Sequence, residues 1–168
     1  NTIDTNKLNY YLSAWNLSNP KFLKQTMTSH IYTVTYDTET AILKLLSPSE
    51  TDEQRGAVAL RHFDGHGAVR LLHYDEGAHL MEYAAGEELV TLVERGEDEN
   101  ATRIIAQVIK QLHSVPQNIP HDGLLLLGGW FDELFNKAAS DRQAGIESIY
   151  VRSASLIKEV LAAQRDVR

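Results

Sequence analysis

Lys44 stands in the middle of Thr40-Ala41-Ile42-Leu43-Lys44-Leu45-Leu46, an apolar, β-prone run. A few residues on, Glu53 lies in a helix-like segment and shares a face with Ala57 and Leu60 through i, i+4, i+7 spacing. Each charge occupies a place where an apolar side chain is expected. A strand lysine held by a glutamate on the following helix is a device for gripping nucleotide phosphates during phosphoryl transfer. Each residue alone also has a plainer reading. Strand lysines are commonly solvated or snorkelling side chains, and acids in a first helical turn complement the helix dipole. The dipole explains where Glu53 sits along its helix but not the face it shares. If both faces of the strand are covered, Lys44 needs an anionic partner.

The elements that must position this pair are legible on either side of it. Leu8, Tyr11, Leu12 and Trp15 recur at helical spacing over residues 4–16, and Asn16 to Pro20 is a breaker cluster. Residues 21–26 and 30–36 read as strands, the second rich in β-branched and aromatic residues. Asp37 to Thr40 is a turn, and the lysine strand completes a three-stranded meander. Thr51 and Gln54 form a capping-box pattern for a helix running to about Phe63, which Asp64-Gly65-His66-Gly67 stops. Two more strands follow, residues 68–74 and 78–83, joined by Asp75-Glu76-Gly77. After Gly86 the strand pattern ends. Helices are expected over residues 88–95, then from Asp98 or Asn100 with Ala101, Ile104, Ile105, Val108, Ile109 and Leu112 as the apolar stripe. Two further helices are expected, over residues 130–140 with Trp130, Phe131, Leu134 and Phe135 inward, and over residues 146–165 with Tyr150, Ala154, Ile157 and Leu161 on one face.

Composition narrows the function classes. A length of 168 residues suits one domain or two small lobes. With no cysteine there is neither a disulfide nor a thiolate metal site. The net charge of −7 argues against broad nucleic-acid contact while leaving room for a locally basic nucleotide pocket. No signal-peptide pattern and no membrane-length apolar run is present, so a cytoplasmic chain without membrane contact is expected.

Three other stretches have two readings each. Thr26-Met27-Thr28-Ser29, between the first two strands, is a plain polar hairpin loop or a glycine-free loop covering phosphates. Leu80-Met81-Glu82-Tyr83-Ala84 is a strand end or a hinge whose backbone meets adenine. His121-Asp122-Gly123 looks catalytic but follows Pro120 in a loop, and reads better as loop filler. The other histidines lack metal-ligand spacing, and no Walker loop, Rossmann fingerprint or nucleophile elbow occurs.

Glu53-Gln54-Arg55-Gly56-Ala57, then Gly65-His66-Gly67-Ala68-Val69-Arg70-Leu71-Leu72, then Leu80-Met81-Glu82-Tyr83-Ala84-Ala85-Gly86-Glu87 resemble the aminoglycoside/hydroxyurea antibiotic-resistance kinase family. That family includes the streptomycin 6-phosphotransferases. The resemblance implies an α+β, protein-kinase-like fold. Residues 1–85 would form a five-stranded antiparallel nucleotide-binding lobe with one inserted helix, and residues 86–168 an incomplete helical carboxy-terminal lobe. It implies ATP-dependent phosphorylation of an alcohol group on a streptomycin-like aminoglycoside or on hydroxyurea, with Mg²⁺. Lys44 would hold the α- and β-phosphates and Glu53 would orient it. Ser29 would lie in the loop over the phosphates, Met81 would line the adenine pocket, and the backbone of Glu82 and Ala84 would meet the adenine edge.

The family continues into an H-G-D-x-H-x-x-N catalytic loop and a metal-binding D-P segment, and neither occurs here. The chain is therefore expected to be the amino-terminal part of such a kinase, with no catalytic residue of its own, its metal ligands elsewhere, and no activity alone. The last helix would then expose apolar surface and favour self-association. The alternative is a non-catalytic, pseudokinase-like nucleotide-binding module. An unrelated α+β protein would require the match over residues 53–87 to be accidental.

Overall fold

A computed structural model describes residues 5–47, 51–116, 124 and 127–163, and of residues 51–54 the backbone alone. The chain divides into two compact units, residues 1–123 and 124–168. The first holds α1 (Thr5–Ala14), β1 (Ser18–Gln25), β2 (Ser29–Tyr36), β3 (Glu39–Leu46), α2 (Thr51–Phe63), β4 (Leu71–Asp75), β5 (Ala78–Glu82), α3 (Leu89–Glu94) and α4 (Asp98–Ser114). The five strands form one antiparallel sheet in the order β1-β2-β3-β5-β4.

Alternation along the central strands decides the two faces of this sheet. Tyr32 and Val34 on β2, Ala41, Leu43 and Leu45 on β3, and Ala78 and Leu80 on β5 are buried together with Tyr11 and Leu17. Leu8 and Leu12 of α1 and Trp15 just after it pack against that cluster, so the amphipathic α1 covers this face. Leu43 and Leu80 lose all solvent contact, a burial that stabilises by about 2 kcal/mol per side chain. Ile42, Lys44, His79 and Met81 belong to the opposite face.

Two strands begin differently from the sequence expectation. β1 starts at Ser18, inside the expected breaker cluster. Asn19 takes φ +51° where the pairing with β2 is irregular, and Pro20 sits on an edge strand, where its missing N–H breaks no ladder. β4 starts at Leu71 rather than Ala68, because the Arg70 N–H donates to the Glu82 side chain at 2.9 Å. Asp37 and Thr38, both at positive φ, form the two-residue turn between β2 and β3.

The second unit contains α5 (Leu127–Trp130), α6 (Asp132–Gln143) and α7 (Ile149–Ala163). The single helix expected over residues 130–140 is thus two helices, and Trp130, expected inward, is 63% exposed. The chain turns at Phe131, and Asp132 and Glu133 give α6 its own acidic first turn. The last helix starts at Ile149 rather than Ile146. Ser148 Oγ accepts from the Val151 N–H at 3.3 Å as a cap, and Gly145 at φ +71° ends α6 before it.

Asp141 ties this corner together. It is buried, forms an ion pair with Lys137, and accepts the Ser148 hydroxyl at 2.5 Å. The Lys137 ammonium, then the Ser148 hydroxyl, hold the Asp141 carboxyl below the ordinary carboxylate range. With its folded pKa depressed, the group stabilises above the unfolded carboxylate value near ~4 and loses that contribution as pH falls through the folded value. Asp141→Asn is expected to lower Tm at neutral pH, with the gap to the unaltered protein closing in acid. Thermal scans across pH check this, and a pH-independent gap would remove the carboxylate charge from the explanation.

Candidate nucleotide-binding site

Lys44 lies on β3 between Ile31 of β2 and His79 of β5. The face it belongs to borders a cavity of about 400 Å³. Lys44, His79 and Met81 line it from the sheet, Gly56, Ala59, Leu60 and Phe63 from α2, Gly67 and Ala68 from the connection to β4, and Leu112 from α4. The walls are mainly apolar, with one lysine among them. Such a space can take a flat heteroaromatic ring against Ala68, Met81 and Leu112 while Lys44 meets an anion.

Two local features build this space. Gly67 has φ +78°, and a Cβ there would lie 3.1 Å from both the Leu112 side chain and the Val108 carbonyl oxygen. Glycine therefore lets α4 close against the end of α2's connection and bring Leu112 to the cavity. Gly67→Ala is expected to destabilise by about 2 kcal/mol or more, since strain and lack of room add. Denaturant unfolding checks this, and a change below about 0.5 kcal/mol would mean that α4 yields freely. On the other side, Arg61 of α2 donates to the Tyr74 hydroxyl at 2.8 Å and lies over its ring, docking α2 on β4.

The residues singled out in the sequence fall as follows. Lys44 and Met81 line the cavity together. Ser29 opens β2 and is buried, its hydroxyl 2.8 Å from Thr26 Oγ1. The Thr28 and Ser29 N–H groups donate to Thr26 Oγ1 at 3.3 and 3.0 Å. The Thr26 hydroxyl thus accepts two backbone N–H groups of its own loop while donating to the Ser29 carbonyl at 3.3 Å, and paired N–H donors of this kind also suit a phosphate oxygen. Glu82 ends β5, pairs with Ala41 and donates its N–H to the Arg70 carbonyl at 3.0 Å. Ala84 follows in exposed, non-strand chain. Beyond it, a two-bond fork from Arg95 to Glu87 at 2.7 Å spans α3. Glu53 lies in α2, one turn before the buried Ala57, but its side chain is outside the described residues. His121 and Asp122 also lie outside them.

His79 is the site residue that sequence reasoning passed over. It is 2% exposed and directly opposite Lys44. Its signal was an imidazole within Ala78-His79-Leu80-Met81, at the alternation phase of Lys44's face. Among the described residues, no three His, Asp or Glu side chains converge as a metal site, and no helix is long and apolar enough to cross a membrane.

The sequence profile of the aminoglycoside/hydroxyurea antibiotic resistance kinases matches residues 14–168. The chain belongs to this family. It is also similar to the streptomycin 3''-kinase of Klebsiella pneumoniae, with 32% identity over 157 residues covering 93% of this chain and 56% of that protein. Among solved structures, the ternary complex of streptomycin, ATP and APH(2")-IIa superposes with a TM-score of 0.59 at 13% identity, over 86% of this chain and 53% of that one. The fold of this family member is therefore α+β and kinase-like, as the sequence implied. The chain spans about half the length of these relatives.

Proposed function

We propose that these residues form the ATP-gripping part of a phosphotransferase that phosphorylates an alcohol group of a streptomycin-like aminoglycoside or of hydroxyurea. The observation that carries the reading is Lys44 beside Met81 in one largely apolar cavity, with a loop of converging donors at the β1–β2 turn. In this reading Lys44 holds the α- and β-phosphates and Glu53 orients it. Ser29 belongs to the loop over the phosphates. Met81 lies against adenine, and the backbone of Glu82 and Ala84 meets its edge. The functional division falls near residue 85, between a nucleotide lobe and a helical lobe.

ATP fits the lining, because a largely apolar slot with one cation in its wall matches a base followed by phosphates. Mg²⁺, when bound, would supply positive charge that offsets the charge developing on the phosphates. The described residues offer it no cluster of ligands, and these 168 residues contain no H-G-D-x-H-x-x-N segment. No role of base or metal ligand is therefore assigned to any of the described residues. This chain's own part is to bind the base, fix the phosphates and exclude water from them.

The test is phosphate transfer by the full open reading frame, with ATP and a panel of streptomycin, other aminoglycosides and hydroxyurea. The expected result is ADP release with a mass gain of one phosphoryl group on an acceptor hydroxyl. ATP binding without transfer to any of them would favour a non-catalytic nucleotide-binding module.

A further inference from the structure

The peptide group joining Leu46 to Ser47 is held on both of its polar atoms. Its carbonyl oxygen accepts from Lys7 Nζ at 2.6 Å, and its N–H donates to the Thr28 carbonyl at 2.8 Å. Lys7 belongs to α1, Thr28 to the loop between β1 and β2, and Leu46 ends β3 two residues after Lys44. A single peptide therefore couples α1 to both the strand of Lys44 and the loop of converging donors. An ammonium on the oxygen polarises the peptide and strengthens its N–H as a donor on the far side.

One helical turn on, α1 makes a second anchor. The Tyr11 hydroxyl donates to Asp75 Oδ1 at 2.6 Å, and the same oxygen accepts from the Gly77 and Ala78 N–H groups at 2.7 and 3.1 Å. The Gly77 carbonyl in turn accepts from the Leu46 N–H at 2.9 Å. Burial, then the Asp75 carboxylate, hold the Tyr11 hydroxyl above the ordinary phenol range, so it remains a donor. A Cβ on Gly77 would collide with the Tyr11 hydroxyl and lie 3.2 Å from Lys7 Cε. Both anchors converge on the same end of the sheet, whereas Met81 lies three residues further along β5 from Ala78.

Resting on the nucleotide reading above, we propose that α1 is a strap that sets the phosphate-side loop and Lys44, with Lys7 and Tyr11 as positioning residues for phosphoryl transfer. Loosening the strap should disturb the grip on phosphates and leave the adenine wall intact. A helix that served stability alone would give no such split.

The experiment uses the full-length protein with Lys7→Met, Lys7→Arg, Gly77→Ala and, as a reference, Lys44→Met. Dissociation constants for ATP and for adenosine, kcat and Tm are measured for each. Lys7→Met and Gly77→Ala are expected to raise the Kd for ATP about fivefold and lower kcat about tenfold, with the Kd for adenosine within about twofold. Lys7→Arg, which keeps a charged donor, should restore most of both. Equal losses for ATP and adenosine, or a lower Tm with unchanged kcat and affinities, would overturn the strap. If Gly77→Ala does not fold, Lys7→Met decides alone. If Lys44→Met leaves discrimination between ATP and adenosine unchanged, the nucleotide reading itself fails and takes the strap with it. If Lys44→Met acts and Lys7→Met does not, only the strap fails.

Discussion

Lys44→Met in the full-length protein should lower kcat by about a hundredfold to a thousandfold while weakening ATP binding by only about tenfold. Methionine has nearly the length and volume of lysine, so the cavity beside His79 and Met81 keeps its shape. On the proposed reading, what would be lost is one positive charge directed at the phosphates. In the proposed site, the adenine contacts with Ala68, Met81 and Leu112 would persist and carry much of the ground-state affinity. The charge matters most when the terminal phosphoryl group must lie in line with its acceptor, so the loss belongs to the transition state. Steady-state kinetics paired with equilibrium binding separates the two quantities. An unchanged kcat would take Lys44 out of the mechanism, and an equal loss in both would make it a simple binding residue.

The 168-residue chain by itself should bind ATP and show no transfer to any acceptor. General-base and metal contributions are each worth orders of magnitude in rate, on the order of a hundredfold to ten-thousandfold for the base alone. In the described cavity Lys44 is a poor base and the rest of the lining is apolar side chain or glycine except for His79, which is 2% exposed and lies in the sheet opposite Lys44, away from an acceptor hydroxyl in the proposed arrangement. Calorimetric titration with ATP, followed by a sensitive ADP-release assay on the same contaminant-free sample, measures both halves. Turnover by this polypeptide would show that a base had been overlooked, with His79 as the first residue to substitute. Failure to bind ATP would move the nucleotide site elsewhere.

The sheet and its inserted helix were legible because their signals are local. Period-two alternation in Ile31 to Tyr36 and Ala41 to Leu45 marks two faces, and Lys44 breaks the pattern on one of them. The glycines at 65 and 67 signal a turn that only positive φ allows. Less legible were features that depend on distant partners. Nothing around Lys7 announces that its ammonium meets a carbonyl 39 residues away, and Tyr11 reads as one more apolar position of an amphipathic helix. Asp141 looks like a surface acid until Ser148 and Lys137 close on it. The break at Phe131 escaped notice because a continuous apolar period fits two short helices as well as one. His79 was legible in principle, since its strand phase equals that of Lys44, but a lone histidine carries no motif.

The most direct test of the account is a crystal structure of the protein with a non-hydrolysable ATP analogue. The prediction is adenine against Met81 and Ala68, with Lys44 Nζ within about 3.2 Å of a phosphate oxygen and the Thr26–Ser29 loop over the phosphates. A nucleotide seated elsewhere would contradict it, for instance in the hollow lined by Tyr36, Arg70 and Tyr83 on the other side of β3. So would a nucleotide in the cavity whose phosphates point away from Lys44.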